Sequence, residues 1–205
     1  MFTVDLRVDG TDQIEKKLGA MREKAGIVMA RAANSAATTA KKVIKQETAK
    51  KYMVQQKDIE NIARVQKAFY GRPYAVVKFC DGHKNLAHWP MKSRNLSPYK
   101  RIHFNSKGKP NVKVYKAQVK REGGKKELGG DRKPFLQVVK KSGVFLLLRR
   151  KEGSHGKLEG VTGPAFTQIV QNKDVMERCE KEAMETLRKR IGHETDHILG
   201  KRKGK

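Results

Sequence analysis

The sequence predicts an α+β protein with a long N-terminal helix, a central, mostly antiparallel sheet carrying long basic loops, and a C-terminal amphipathic helix. Apolar residues recur at helical spacing from Ile14 to Ile44, and again from Met176 to Ile198. Between these stretches lie short β-branched or alternating runs, separated by segments rich in Gly, Pro and Lys. Residues 1–200 read as one domain, followed by a basic tail over 201–205.

The elements follow in order. FTVDLRV at 2–8 alternates apolar and polar like a half-buried strand, and Asp9-Gly10 turns the chain. Asp12 with Glu15 forms a DxxE cap for a helix reaching about residue 50. Gly19 and Gly26 each cost about 1 kcal/mol relative to Ala, which predicts a bend or break in its first half. Ala32, Ala36 and Ala40 form one row with Ala33 and Ala37 beside it, a smooth face for helix packing or a subunit interface. VQQKDIENIARV at 54–65 reads as a second, shorter helix.

YAVVKFC at 74–80, NVKVYKAQV at 111–119 and GVFLLLRR at 143–150 read as strands, the last pairing with PFLQVVKK across Ser142-Gly143 as a hairpin. KGKPN at 107–111 and GGKKELGG at 123–130 have loop composition. Asn172 is placed to cap the final helix, whose stripe is Met176, Ala183, Met184, Leu187, Ile191 and Ile198, and Gly200 stops it.

Charge narrows the function classes. Lys and Arg number 47 against 21 Asp and Glu, a formal charge of +26, which suits a polyanionic partner, either nucleic acid or an acidic protein surface. The one Trp and five Tyr do not alternate with basic residues as on a stacking platform, which argues against single-strand readout. Cys80 and Cys179 stand apart with no CxxC pair, the pattern of reduced thiols, and no apolar run approaches the roughly 18 residues of a membrane span. The opening MFTVDLRVDG has neither the basic start nor the apolar core of a signal peptide.

One stretch imitates a catalytic motif. HETDH at 193–197 matches HExxH, in which two His one helical turn apart hold zinc and the Glu activates water. At about 100° per residue, His193 and His197 fall roughly 200° and 240° around the helix from Ile191, away from the apolar stripe. The eight residues after His197 supply no third ligand, so the pattern reads as a solvated helix face on which Glu194 and Asp196 are ordinary charges. GGKKELGG is not a phosphate loop, and Cys80 near His83 reads as a packed strand cysteine. No catalytic, cofactor-binding or metal-ligating residues are predicted, and neither is an enzyme.

The basic segment is the remaining candidate. From Lys92 to Lys133 there are fourteen Lys and Arg against Glu122, Glu127 and Asp131. Lys92, Arg94, Lys100, Arg101, Lys107, Lys109 and Lys113 are suited to DNA phosphates or to an acidic partner, with no base-reading code. Leu187, Ile191 and Ile198 join the Ala face as packing or interface residues.

The order MARAANSAATTAKKVIKQETAKKY, KPFLQVVKKSGVFLLLRR, GPAFTQIV and VMERCEKEAMETLRKRIGHETDHILG resembles the minor tail protein Z family of long-tailed bacteriophages, the tail completion proteins, over about residues 12–200. The resemblance implies a non-enzymatic virion component at the head-proximal end of the tail, assembled in the host cytoplasm, that enables joining to the DNA-filled head. It implies a ring homo-oligomer, a hexamer matching the sixfold tail. Its implied partners are tail terminator, tail tube or neck proteins and the genomic DNA end, with no membrane and no cofactor. Charge alone supports the alternative of a free, sequence-nonspecific nucleic-acid-binding protein.

Overall fold

The computed structural model describes residues 1–7, 11–89, 91–93, 114–128, 134–138, 145–151 and 157–200. The elements run β1 (Phe2–Leu6), α1 (Thr11–Leu18), a 3-10 turn (Gly19–Lys24), α2 (Ala25–Lys51), α3 (Gln56–Ile62), β2 (Ala63–Gln66), β3 (Ala75–Phe79) and β4 (His83–Asn85). A short 3-10 turn (Leu86–His88) precedes β5 (Met91–Ser93), β6 (Val114–Ala117), β7 (Lys126–Glu127), β8 (Phe135–Val138), β9 (Phe145–Arg150), β10 (Leu158–Gly160) and β11 (Thr162–Ala165). Two helices close the described chain, α4 (Phe166–Val170) and α5 (Lys173–Ile198). This is the α+β class that the sequence predicts, with its long N-terminal helix, antiparallel strands and C-terminal helix.

The described strands are distributed among four small sheets, ordered β1-β3-β2, β10-β9-β8, β11-β4 and β5-β6-β7. Runs of two to six residues interrupted by Gly- and Lys-rich segments do not extend into one sheet. Where the sequence reads as one domain over 1–200, the contacts group the chain into two compact units. The first contains Met1–Thr48, Gln56–Asp81 and Val170–Lys205, and the second contains Ala49–Gln55 and Gly82–Ile169.

The predicted break in the first helix lies at Gly19, whose φ of +53° is left-handed and falls to glycine because it lacks Cβ. Gly26 lies inside α2, where a Cβ would stand 3.0 Å from the Tyr70 ring, so its small size admits a close approach. Asp12 lies within the first turn of α1 and not before it; there its charge still faces the positive end of the helix. The stretch 54–65 divides: the helix ends at Ile62 and Ala63–Gln66 pairs with β3 as β2. Val65 and Ala63 fit a β ladder as well as a helical stripe, and pairing decides for the ladder.

In the first unit, β3 is the central strand, with β1 and β2 antiparallel to it on either side. Ala75, Val77 and Phe79 are fully buried, and Phe2 stacks on Phe79 at 6.1 Å. Alternation along the strands leaves Thr3, Asp5, Arg64 and Gln66 exposed on the opposite face. In the second unit β8 pairs antiparallel with β9, as expected of the two strands, with Phe135 opposite Leu148 and Val138 opposite Phe145, while the expected turn at Ser142-Gly143 lies outside the described residues. Asn85 ties this sheet to the 3-10 turn: its amide donates to Leu147 O at 2.9 Å, and its Oδ1 accepts from Leu147 N and Ala87 N. Trp89 packs edge-on against Phe166, with 5.8 Å between ring centroids.

Candidate functional site

The sequence nominates two groups of residues, and the structure gives them different standing. Ala32, Ala33, Ala36, Ala37 and Ala40 have no exposed surface, and Ala32 and Ala36 form a core cluster with Leu187, flanked by Leu6 and Ile191. A second cluster joins Ile14, Leu18, Ala25, Val28 and Met29, with Ile191, Ile198 and Leu199 packed against it. The Ala face is therefore spent on intrachain helix packing, and a surface with no exposure offers nothing to a neighbouring subunit.

Polar contacts set the register of the two long helices. Cys179 Sγ reaches Ala40 O at 3.8 Å, Thr186 Oγ1 reaches Thr39 Oγ1 at 3.3 Å, Arg190 Nε donates to Ser35 Oγ at 3.0 Å, and Arg31 Nη1 donates to Glu194 Oε2 at 3.0 Å. As numbering rises along α5 it falls along α2, so the helices pack antiparallel. Small side chains on α2 permit that approach, and the larger side chains of α5 fill the groove.

The same pairing involves the HETDH stretch. His193 and His197 are exposed, and among the described residues no group of three or more His, Cys, Asp or Glu converges to hold a metal. The expectation that Glu194 is an ordinary solvated charge is overturned: it is 8% exposed, and Thr195 beside it is buried. Burial alone would raise the Glu194 pKa, but the hydrogen bond from Arg31, together with the charges of Arg31, Arg190 and His193, outweighs that and holds it below the usual carboxylate value. The signal was present in the sequence, because Glu194 and Thr195 return to within roughly 60° and 40° of Ile191 at 100° per residue. The acid that resembles a catalytic base is instead the carboxylate of an interhelix ion pair.

The predicted phosphate contacts Arg94, Lys100, Arg101, Lys107, Lys109 and Lys113 lie outside the described residues, as does the side chain of Lys92, whose backbone forms part of β5. Cys80 is exposed just past β3, contrary to the packed strand cysteine expected, because the strand ends at Phe79. Cys179 is buried, and burial, reinforced by the charges of Glu180 and Glu182, pushes its thiol up to about 11.

A cavity of about 380 Å³ opens in the second unit against Leu86, Leu128 and Pro134. The charges among its described lining are paired, Arg149 to Glu159 and Glu127 to Lys116, so none of those described is free to orient a ligand. Sequence reasoning missed residues 67–74, KAFYGRPY, where aromatic and basic residues do interleave. In the structure Arg7, Phe69, Arg72 and Tyr74 stack there. No described helix is long and apolar enough to cross a membrane. No protein-family model, curated protein or solved structure matches the chain.

Proposed function

We propose that this chain is a structural virion protein that completes the head-proximal end of a phage tail and enables head–tail joining, as a ring around the DNA channel. One observation carries the reading: the order of the Ala-rich helix, the KPFLQVVKKSGVFLLLRR hairpin, GPAFTQIV and the closing HETDHILG helix resembles the minor tail protein Z family over about residues 12–200. The formal charge of +26 supports it, because a ring multiplies weak phosphate contacts by its copy number. A closed ring needs two different surface patches per subunit. The α2–α5 seam, being internal, is neither of them. Electron microscopy of purified tails, with the protein labelled at its C-terminus, tests the proposal. Density at the head-facing end is the expected result, and absence from virions overturns it.

The same charge favours a second reading, a free sequence-nonspecific nucleic-acid-binding protein. That reading expects tight, steeply salt-dependent duplex binding by the isolated monomer and no incorporation into particles.

A further inference from the structure

We infer that the outer face of the β1-β3-β2 sheet, with the turn at Phe69–Arg72, is a binding surface for single-stranded nucleic acid. Its bases stack on Phe69 and Tyr70, and its phosphates lie on Arg64 and Lys78 of the sheet.

The turn is stiff. Asn34 grips Ala68 with its whole amide, Nδ2 donating to Ala68 O at 3.0 Å and Oδ1 accepting from Ala68 N at 2.8 Å. Phe69 and Arg72 exchange both backbone hydrogen bonds, at 3.0 and 2.9 Å, closing the chain around Tyr70-Gly71. Arg72 Nη2 donates to Lys67 O at 3.0 Å, and its guanidinium lies 5.4 Å from the Phe69 ring centroid and 5.2 Å from that of Tyr74. Arg7, one step beyond the Leu6–Ala75 pair, covers Tyr74 at 5.3 Å. Phe69, Arg72, Tyr74 and Arg7 thus form a ladder of alternating ring and cation that ends at Phe69.

The apex of this ordered turn is open to solvent. Phe69 is 59% exposed and Tyr70 64% exposed, with the Tyr70 ring resting against Gly26. Large aromatic rings held rigid and unburied form a preorganised contact, which binds with little further ordering cost.

The surrounding charge selects the occupant. Between Glu60 and Asp81 the chain carries Arg64, Lys67, Arg72 and Lys78 and no acid. Arg64 stands directly opposite Lys78 in the ladder, a mildly unfavourable like-charge pairing that an anion lying across it would relieve. Asp5 is the one acid on the outer face of these three strands. A ligand that is at once polyanionic and rich in accessible π-faces matches rings and cations together. Single-stranded nucleic acid is that ligand, whereas duplex bases stack on one another and leave no face for Phe69. The inference stands independently of the tail proposal.

The test compares a short fluorescein-labelled oligodeoxythymidylate with an abasic strand of equal length, by anisotropy with the full chain. The base-bearing strand is expected to bind roughly tenfold tighter or more. Phe69→Ala with Tyr70→Ala removes that advantage and leaves abasic binding unchanged. Phe69→Trp keeps the advantage, which separates stacking from a folding defect. Arg64→Gln with Lys78→Gln weakens both strands and flattens the salt slope by about 1.4, as expected for two lost phosphate contacts. Equal binding of the two strands by the unaltered protein overturns the inference and leaves the turn as a protein-docking surface. So does an unchanged base preference in the double alanine variant. Absence from virions bears only on the tail proposal, and equal strand binding only on this one.

Discussion

Glu194 joins α5 to α2 through Arg31, and its lowered pKa gives the pair a definite pH dependence. A carboxylate held below its unfolded value adds stability that is fully present above that value and is lost as pH falls through the folded one. Glu194→Gln should therefore cost about 1–2 kcal/mol at neutral pH, the range for a hydrogen bond to a charged group with a half-exposed partner. The cost should shrink as pH falls below the ordinary carboxylate value and vanish only below the lowered value that Glu194 has in the folded protein. Urea unfolding of both proteins across pH measures it, and a difference that persists at low pH contradicts the ionic account. The two cysteines make a second contrast at this scale. Cys80 is exposed and Cys179 is buried with its thiol pushed up to about 11, so a maleimide should label Cys80 alone in the native protein and both after unfolding. Rapid native labelling of Cys179 would mean that the α2–α5 seam opens.

That seam is the principal element-scale feature, and it rests on the alternation of small and large side chains. Ala36→Leu forces extra methylenes between two helices already in contact and should cost at least about 1–3 kcal/mol. Leu187→Ala leaves a cavity in the same cluster and should cost about 2–5 kcal/mol. Chemical denaturation checks both, and a neutral Ala36→Leu would show that the helices are not in close contact there. Much of this was legible in the sequence because helical periodicity is local: the Ala row, the break at Gly19 and the part of the stripe at Ala183, Leu187 and Ile191 follow from spacing within one helix, whereas Met184, placed on the same stripe, is exposed. Partner choice between elements is not local. The stretch at 63–66 satisfies both periods, and only its pairing with β3 makes it a strand. Glu194 was misread because polarity was taken as a sign of exposure, although its angular position already placed it on the inner side. Among the stacked residues of the outer sheet face, Arg7 is distant in sequence from Phe69, Arg72 and Tyr74, and the ladder register brings it beside them.

At the scale of the whole molecule, charge is the dominant property. A formal +26 on 205 residues is a standing attraction for polyanions, and its effect depends on whether the chain acts alone or in many copies. On the proposed reading as a tail completion protein, the chain acts in many copies. The described structure adds that the α2–α5 seam is internal and that the outer face of the β1-β3-β2 sheet exposes Thr3, Asp5, Arg64 and Gln66 around a buried Val76. The predicted basic residues from Arg94 to Lys113 lie outside the described residues. The most direct measurement is a cryo-electron microscopy map of the head–tail junction in intact virions. The account predicts a ring of this chain at the head-proximal end of the tail, surrounding the DNA channel. Virions that contain no copy of the chain would contradict it.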